Sequence, residues 1–164
     1  MRMSPSDWPH LSGAIRNGRH VLAGRVYYED TDFSGVVYHA SYLRYMERGR
    51  TDYLRLIGAD HRALFEAAEN ETPGFAFVVR SMAIEFRKPA RMDDVLEVVT
   101  KHEEIKGASI TLRQEVIRDD AVLVEALVRV AFVCGGRAKP IPKPLRIALA
   151  ASRANAPSRD RERP

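Results

Sequence analysis

The stretch His39–Ile57, HASYLRYMERGRTDYLRLI, decides the fold. Tyr42, Leu43, Met46, Tyr53, Leu54 and Ile57 recur at helical spacing, while Arg44, Glu47, Arg48 and Arg50 fill the other side. The pattern predicts an amphipathic helix over 39–57, with Gly58 as its C-terminal stop. Gly49 sits in mid-helix at a cost of about 1 kcal/mol against alanine. A packing reason is therefore expected: close approach of this helix to a sheet wrapped around it.

Working outward, residues 21–29 (VLAGRVYYE) carry the Val and Tyr residues of a strand, and EDTDFSG after them reads as a turn. A short helix is predicted over 60–68. Four long stretches then show strand character: Phe75–Arg87, Val95–Glu104, Ser109–Arg118 and Val122–Cys134. Lys106-Gly107 and Asp119-Asp120 are compact connectors, so the last three strands are expected as antiparallel neighbours. Pro89 and the PIPKP cluster at 140–144 punctuate the ends. An antiparallel sheet needs cover for its apolar face, and only the 39–57 helix is long enough to supply it. The expected class is α+β, a long central helix wrapped by a curved antiparallel sheet of about five strands. Residues 1–20 read as an N-terminal tail, 21–145 as the domain, and 146–164 as a C-terminal tail expected to be mobile.

The 164 residues suffice for one such domain without disulfides or metal. No apolar run reaches membrane-spanning length, residues 1–20 lack a signal peptide's apolar core, and Cys134 is alone. A cytoplasmic location is the expectation. The net charge of +4 lives in the tails: Arg2, Arg16 and Arg19 against Asp7, and Arg153, Arg159, Arg161 and Arg163 against Asp160 and Glu162. A nucleic-acid binder would concentrate charge on a folded face, so nucleic acid is not expected as a partner.

The chemistry concentrates in Tyr27–Tyr42, YYEDTDFSGVVYHASY. Three carboxylates (Glu29, Asp30, Asp32) precede Gly35, and a helix opens a few residues later. A helix start leaves amides without intrahelical partners and adds partial positive charge, so it can hold the oxygen of a polarised carbonyl. A carboxylate in the preceding loop can act as general base or nucleophile. Rival readings exist. Acidic clusters often only decorate a solvated loop. The D-x-D-x-S-G opening copies a calcium-binding loop, but its twelfth position, counted from Asp30, is Ser41 rather than Glu. His39, His61 and His102 include no ligand-spaced pair for zinc, so no metal is expected. Arg87, Lys88 and Arg91 flank Pro89 at a strand end, either as a coenzyme A phosphate-binding group or as a solvated basic loop. Tyr28 has the alternative of a sheet aromatic in the core.

Residues 25–57 resemble the hot-dog-fold acyl-CoA thioesterases of the 4-hydroxybenzoyl-CoA thioesterase type, and within them the branch associated with the Tol–Pal cell-envelope system. FVVRSMAIEFRKPARMDDVLEV (77–98) extends the resemblance, which covers roughly residues 24–140. The string D-x-D-x-x-G-V-V-Y-H-A-S-Y carries it. The resemblance implies a helix wrapped by a curved antiparallel sheet, in agreement with the order of elements above. It makes Asp32, the second aspartate, catalytic, and gives His39 the amide that holds the thioester carbonyl and a ring that helps bind or orient the substrate. It assigns Tyr28, Gly35, Val36 and Tyr38 to substrate binding. It further implies acyl-CoA or an acyl-carrier-protein thioester as partner, no metal or organic cofactor (coenzyme A being part of the substrate), and dimers that pair into tetramers with the site between subunits. Phe33-Ser34 replaces residues that are small in many relatives. Two other functions stay open: a hydroxyacyl-thioester dehydratase on the same fold, and an acyl-thioester-binding module without catalysis.

Overall fold

A computed structural model of the chain describes residues 11–154. Its elements run β1 (Ala14–Arg16), β2 (Arg19–Arg25), a 3-10 turn (Tyr28–Asp30), α1 (His39–Asp60), α2 (Arg62–Glu71), β3 (Ala76–Phe86), β4 (Val95–Lys106), β5 (Ser109–Arg118), β6 (Ala121–Cys134), β7 (Arg137–Ala138) and α3 (Lys143–Ala154). All strands join one antiparallel sheet in the order β1-β2-β4-β5-β6-β3, with β7 on β6. The α+β expectation stands, and the sheet has seven strands rather than about five. The hairpin neighbours β4, β5 and β6 pair as their compact connectors predict.

The central helix lies on the inward face of the sheet because both surfaces are apolar at matching positions. Tyr42, Met46, Tyr53 and Ile57 of α1 are buried with Val98, Leu112, Val116, Val124, Ala126 and Val128. Gly49 has the packing reason its position demands. A Cβ there would lie 2.9 Å from Val98 Cγ1, 3.1 Å from Thr100 Oγ1 and 3.3 Å from Gln114 Nε2. The contact is polar as well as tight. Gln114 Nε2 donates to the Met46 carbonyl at 2.9 Å and to Thr100 Oγ1 at 2.8 Å, and Gln114 Oε1 accepts from Arg50 at 2.8 Å. Arg50 therefore leaves the solvated face that the helical pattern gives it: it is buried, with its second amino group on Glu47.

Several boundaries differ from expectation for local reasons. Gly58 does not stop α1, which runs to Asp60 and breaks at His61 (φ −125°, ψ 43°). The Gly58 position instead faces the Phe65 ring of α2 at ordinary contact distance. β2 ends at Arg25 rather than at residue 29, because Val26 donates to Asp94 and the chain then turns, with Tyr27 N donating to Asp30 Oδ2 at 2.8 Å. Residues 14–20, expected within a tail, form β1 and the start of β2 around the Asn17-Gly18 turn, both residues at positive φ. Residues 146–154 are also not a tail. In α3 Leu145, Ala148, Leu149 and Ser152 fall at i, i+3, i+4 and i+7, and all four are buried against the domain. The remainder of both expected tails, 1–10 and 155–164, lies outside the described residues. Among the described residues no helix is long and apolar enough to cross a membrane.

Candidate active site at the start of the central helix

The loop between the 3-10 turn and α1 folds back on itself as a short antiparallel ladder. Thr31 bridges Val37, Asp32 N donates to the Val36 carbonyl at 3.0 Å, and Tyr38 N donates to the Asp30 carbonyl at 2.8 Å. The turn closes where Gly35 N donates to the Asp32 carbonyl at 3.0 Å. Gly35 takes φ +79°, which explains the glycine there. The ladder brings Asp32 back alongside Val36–Tyr38, the residues that lead into the helix.

The three carboxylates have separate fates. Asp30 is buried and structural, accepting from Tyr27 N through its side chain. Glu29 is exposed. Asp32 is exposed, and its Oδ1 accepts from both the Ser34 amide at 2.8 Å and the Ser34 hydroxyl. The hydroxyl bond is the main reason its carboxyl is held below the usual range; the Ser34 amide adds to it, and His39 contributes a smaller attraction. Asp32 is thus ionised at neutral pH, with Oδ2 bound to no protein group among the described residues.

The helix start that it adjoins is uncapped. Tyr38 at the N-cap makes no side-chain bond, and the first turn holds no acidic residue. Ser41 N is satisfied by the Tyr38 carbonyl at 2.8 Å, whereas the His39 and Ala40 amides donate to no protein acceptor among the described residues. Exposed amides at a positive helix terminus are donors waiting for an acceptor.

An open cleft of about 260 Å³ lies beside this terminus, lined by Val37, His39, Tyr42, Phe86, Arg87, Lys88 and Pro89. Tyr42 positions its far wall, since the phenol oxygen accepts from Ala90 N at 2.9 Å and Val37 N donates to the Ala90 carbonyl at 2.8 Å. The His39 ring stands edge-on to Tyr38 (centroids 4.5 Å) and Phe86 (6.2 Å).

The predicted residues divide accordingly. His39, Arg87 and Lys88 meet in the cleft; Asp32, Gly35, Val36 and Tyr38 are not among its lining residues and lie on the loop that leads into it, of which Val37 lines the cleft. Arg87 is already paired to Glu125 at 2.8 Å, which leaves Lys88 as the freer cation of the two. Arg91 is exposed outside the lining, its amide held by Asp94. Tyr28 also stands outside it, 82% exposed on the 3-10 turn, so the alternative of a core sheet aromatic is overturned. Ser34, Tyr42 and Phe86 have site roles that sequence reading passed over. Only Ser34 carried a usable signal, as a hydroxyl two residues after an aspartate.

Comparison with known proteins agrees with this architecture. The family model described as thioesterase-like superfamily matches residues 26–149. The protein named acyl-CoA thioesterase YbgC from Haemophilus influenzae is 44% identical over 126 residues, covering 77% of this chain and 89% of the relative. The Escherichia coli protein named acyl-CoA thioester hydrolase YbgC is 44% identical over 122 residues, 73% of this chain and 87% of its own. The crystal structure of a probable thioesterase from Bartonella henselae superposes with a TM-score of 0.63 at 36% identity, covering 77% of this chain and 100% of that one. Matched over residues 26–149, the chain belongs to the thioesterase-like superfamily.

Proposed function

We propose that the protein hydrolyses acyl-CoA thioesters at the start of α1, with Asp32 as base or nucleophile. One observation carries the reading: the loop that holds the ionised Asp32 is paired back onto Val36–Tyr38 and leads into a helix start whose His39 and Ala40 amides meet no protein acceptor among the described residues, and whose His39 lines the cleft. The thioester carbonyl accepts from those amides, which stabilise the oxyanion as it forms. In the general-base route Asp32 takes a proton from water, hydroxide adds to the carbonyl, and the tetrahedral intermediate expels the coenzyme A thiolate, which is then protonated. In the nucleophilic route Asp32 attacks the carbonyl, the thiolate leaves, and water hydrolyses the resulting anhydride. Lys88, with Arg87 behind it, faces the coenzyme phosphates. Neither route needs a metal or an organic cofactor. The names of the two YbgC relatives support the substrate class. The motif that resembles the Tol–Pal branch supports a place in that branch. The uncovered strand β3 supports assembly into a homo-oligomer, a dimer or dimer of dimers, since exposed sheet edges are commonly paired.

Asp32→Asn removes both base and nucleophile at nearly constant volume. Thiol release from acyl-CoA is expected to fall by at least about 100-fold. A folded variant with wild-type turnover would show that Asp32 does not perform the chemistry.

A further inference from the structure

β4 outruns its neighbour at one end of the sheet. Its pairing with β2 stops at His20 and Thr100, and a bulge between His102 and Glu104 breaks strict alternation beyond that point. Consecutive residues Lys101, His102 and Glu103 therefore border one open cavity of about 450 Å³, together with Arg19 after the β1–β2 turn and Arg153 of α3. The cavity stands apart from the candidate active site. From His39 to Tyr53, the residue that holds His102, α1 rises roughly 21 Å.

The charge around the cavity is unbalanced. Glu103 is its one lining carboxylate, and Arg113 of β5, outside the lining, already pairs with it. Arg19 is shared with Glu115 at 3.2 Å. Half-buried Lys101 and exposed Arg153 make no ion pair among the described residues, so two cations border the cavity without a counterion.

His102 is the buried member of the lining, at 6% exposure. Its Nδ1 lies 2.8 Å from the Tyr53 hydroxyl, which lies 3.1 Å from Ser152 Oγ, and Ser152 Oγ donates to the Leu149 carbonyl at 2.7 Å. Each hydroxyl has one proton to give. Ser152 spends its own on Leu149, so Tyr53 donates to Ser152 and accepts from Nδ1–H of His102. The neutral ring then carries a bare lone pair on Nε2. That atom has no protein partner among the described residues and is not sealed from solvent, so it opens on the cavity that His102 lines. Burial, and then the charge of Arg153, disfavour protonation of the ring and keep it neutral at pH 7.

We propose that this cavity binds a singly protonated phosphate group, whose P–OH donates to His102 Nε2 while its other oxygens accept from Lys101 and Arg153. Two cations supply the charge that a phosphate needs, and the imidazole lone pair reads its proton. Sulfate carries similar charge and has no proton to donate at pH 7. The cavity is wider than a phosphate alone, which leaves space for the organic part of a small phosphomonoester. The site is independent of the thioesterase reading.

The test is NMR of the His102 ring in the full chain at pH 7 and constant ionic strength, its signals identified by their loss in His102→Gln. Inorganic phosphate is expected to move them saturably, with half-saturation at about 1–10 mM. Sulfate is expected to bind at least about fivefold more weakly, for want of the hydrogen bond to Nε2. Lys101→Gln and Arg153→Gln are each expected to weaken phosphate about fivefold, whereas Arg137→Gln on β7, outside the cavity, leaves it unchanged. Glycerol 3-phosphate separates the two sources of the group: tighter binding than inorganic phosphate assigns the site to a phosphomonoester, and binding no tighter assigns it to the free ion. Thermal melts show which variants are folded; if neither cation variant is, the phosphate-to-sulfate ratio of wild type decides alone. The proposal is overturned by ring signals that do not saturate with phosphate, by sulfate binding as tightly as phosphate, or by folded Lys101→Gln and Arg153→Gln that bind as wild type does.

Discussion

Substitution of Gly49 by alanine sets two effects of known sign against each other. Alanine is the better helix former, worth about 1 kcal/mol in mid-helix. Against that, the new methyl would meet Val98 Cγ1 at 2.9 Å, Thr100 Oγ1 at 3.1 Å and Gln114 Nε2 at 3.3 Å. Val98 and Thr100 are β-branched and buried on β4, so neither swings away freely. Overpacking at such a site costs about 1–3 kcal/mol. Displacing Gln114 strains its bonds to the Met46 carbonyl and Thr100, each worth roughly 1 kcal/mol. Steric cost therefore outweighs propensity, for a net destabilisation of about 1–3 kcal/mol. At this chain length that lowers Tm by very roughly 3–10 °C. Calorimetry and urea denaturation of both proteins at equal concentration measure it. An alanine variant as stable as wild type, or more so, would refute the close approach of α1 to the sheet and with it the reason given for the glycine.

Three further outcomes follow from the site and its surroundings. Ser34→Ala removes the hydroxyl that does most to hold the Asp32 carboxyl down, so its titration by 13C NMR, and the acid limb of kcat/KM, should move to higher pH; an unchanged titration would deny Ser34 that role. Lys88→Ala should raise KM for acyl-CoA about fivefold, an effect that salt diminishes, while Arg91→Ala, outside the cleft, should do less; equal effects would contradict the placement of the two cations. Buried His20 and His102 are both held below 6.5 chiefly by desolvation, against the opposing pull of Asp52 on His20 and with help from Arg153 on His102. Their unfolded forms bind protons first, so stability is fully present above pH 6.5 and declines as pH falls below it, by up to about 1.4 kcal/mol per pH unit per histidine. His102→Gln should shallow that slope in urea midpoints measured from pH 7.5 to 5, and a slope that steepens would reverse the sign assigned to His102.

What the sequence made legible was whatever repeats at short range. The period of α1 is written in Tyr42, Met46, Tyr53 and Ile57, and β5 runs over the very residues, Ser109–Arg118, that its alternation marks. The helix α3 escaped because its buried stripe consists largely of small residues, Ala148 and Ser152 beside Leu145 and Leu149, too weak a contrast with the arginines around it. The β1–β2 hairpin carried a readable Asn17-Gly18 turn, but a three-residue strand is too short to alternate. Buried polar partners were beyond reach for a different reason. Arg50 and Gln114 are 64 residues apart, and His20 and Asp52 are 32 apart, bonded at 2.7 Å. Nothing local in either sequence neighbourhood says that a charged residue on a helix will find its partner inside. At the site, Asp32, Gly35 and His39 were legible through one contiguous motif. The grip of Ser34 on Asp32 Oδ1 depends on a turn geometry that only the fold specifies.

The two halves of the proposed site are held by unlike means, and that difference bears on how the proposed reaction would run. The amide half belongs to a helix locked to the sheet through Gly49 and Gln114 and to the Ala90 loop through Tyr42, so displacing the His39 and Ala40 donors means moving the core. The carboxylate half rides on a nine-residue ladder bound mainly to itself, with Asp32 and Phe33 exposed at its tip. Donors for a developing oxyanion gain most from rigidity, because they must already be aimed before charge appears. A base or nucleophile must instead reach a carbonyl whose position varies with the acyl group. Donors on the core and a carboxylate on a local loop are what the proposed reaction calls for, since its invariant element is the thioester and its variable element the acyl group.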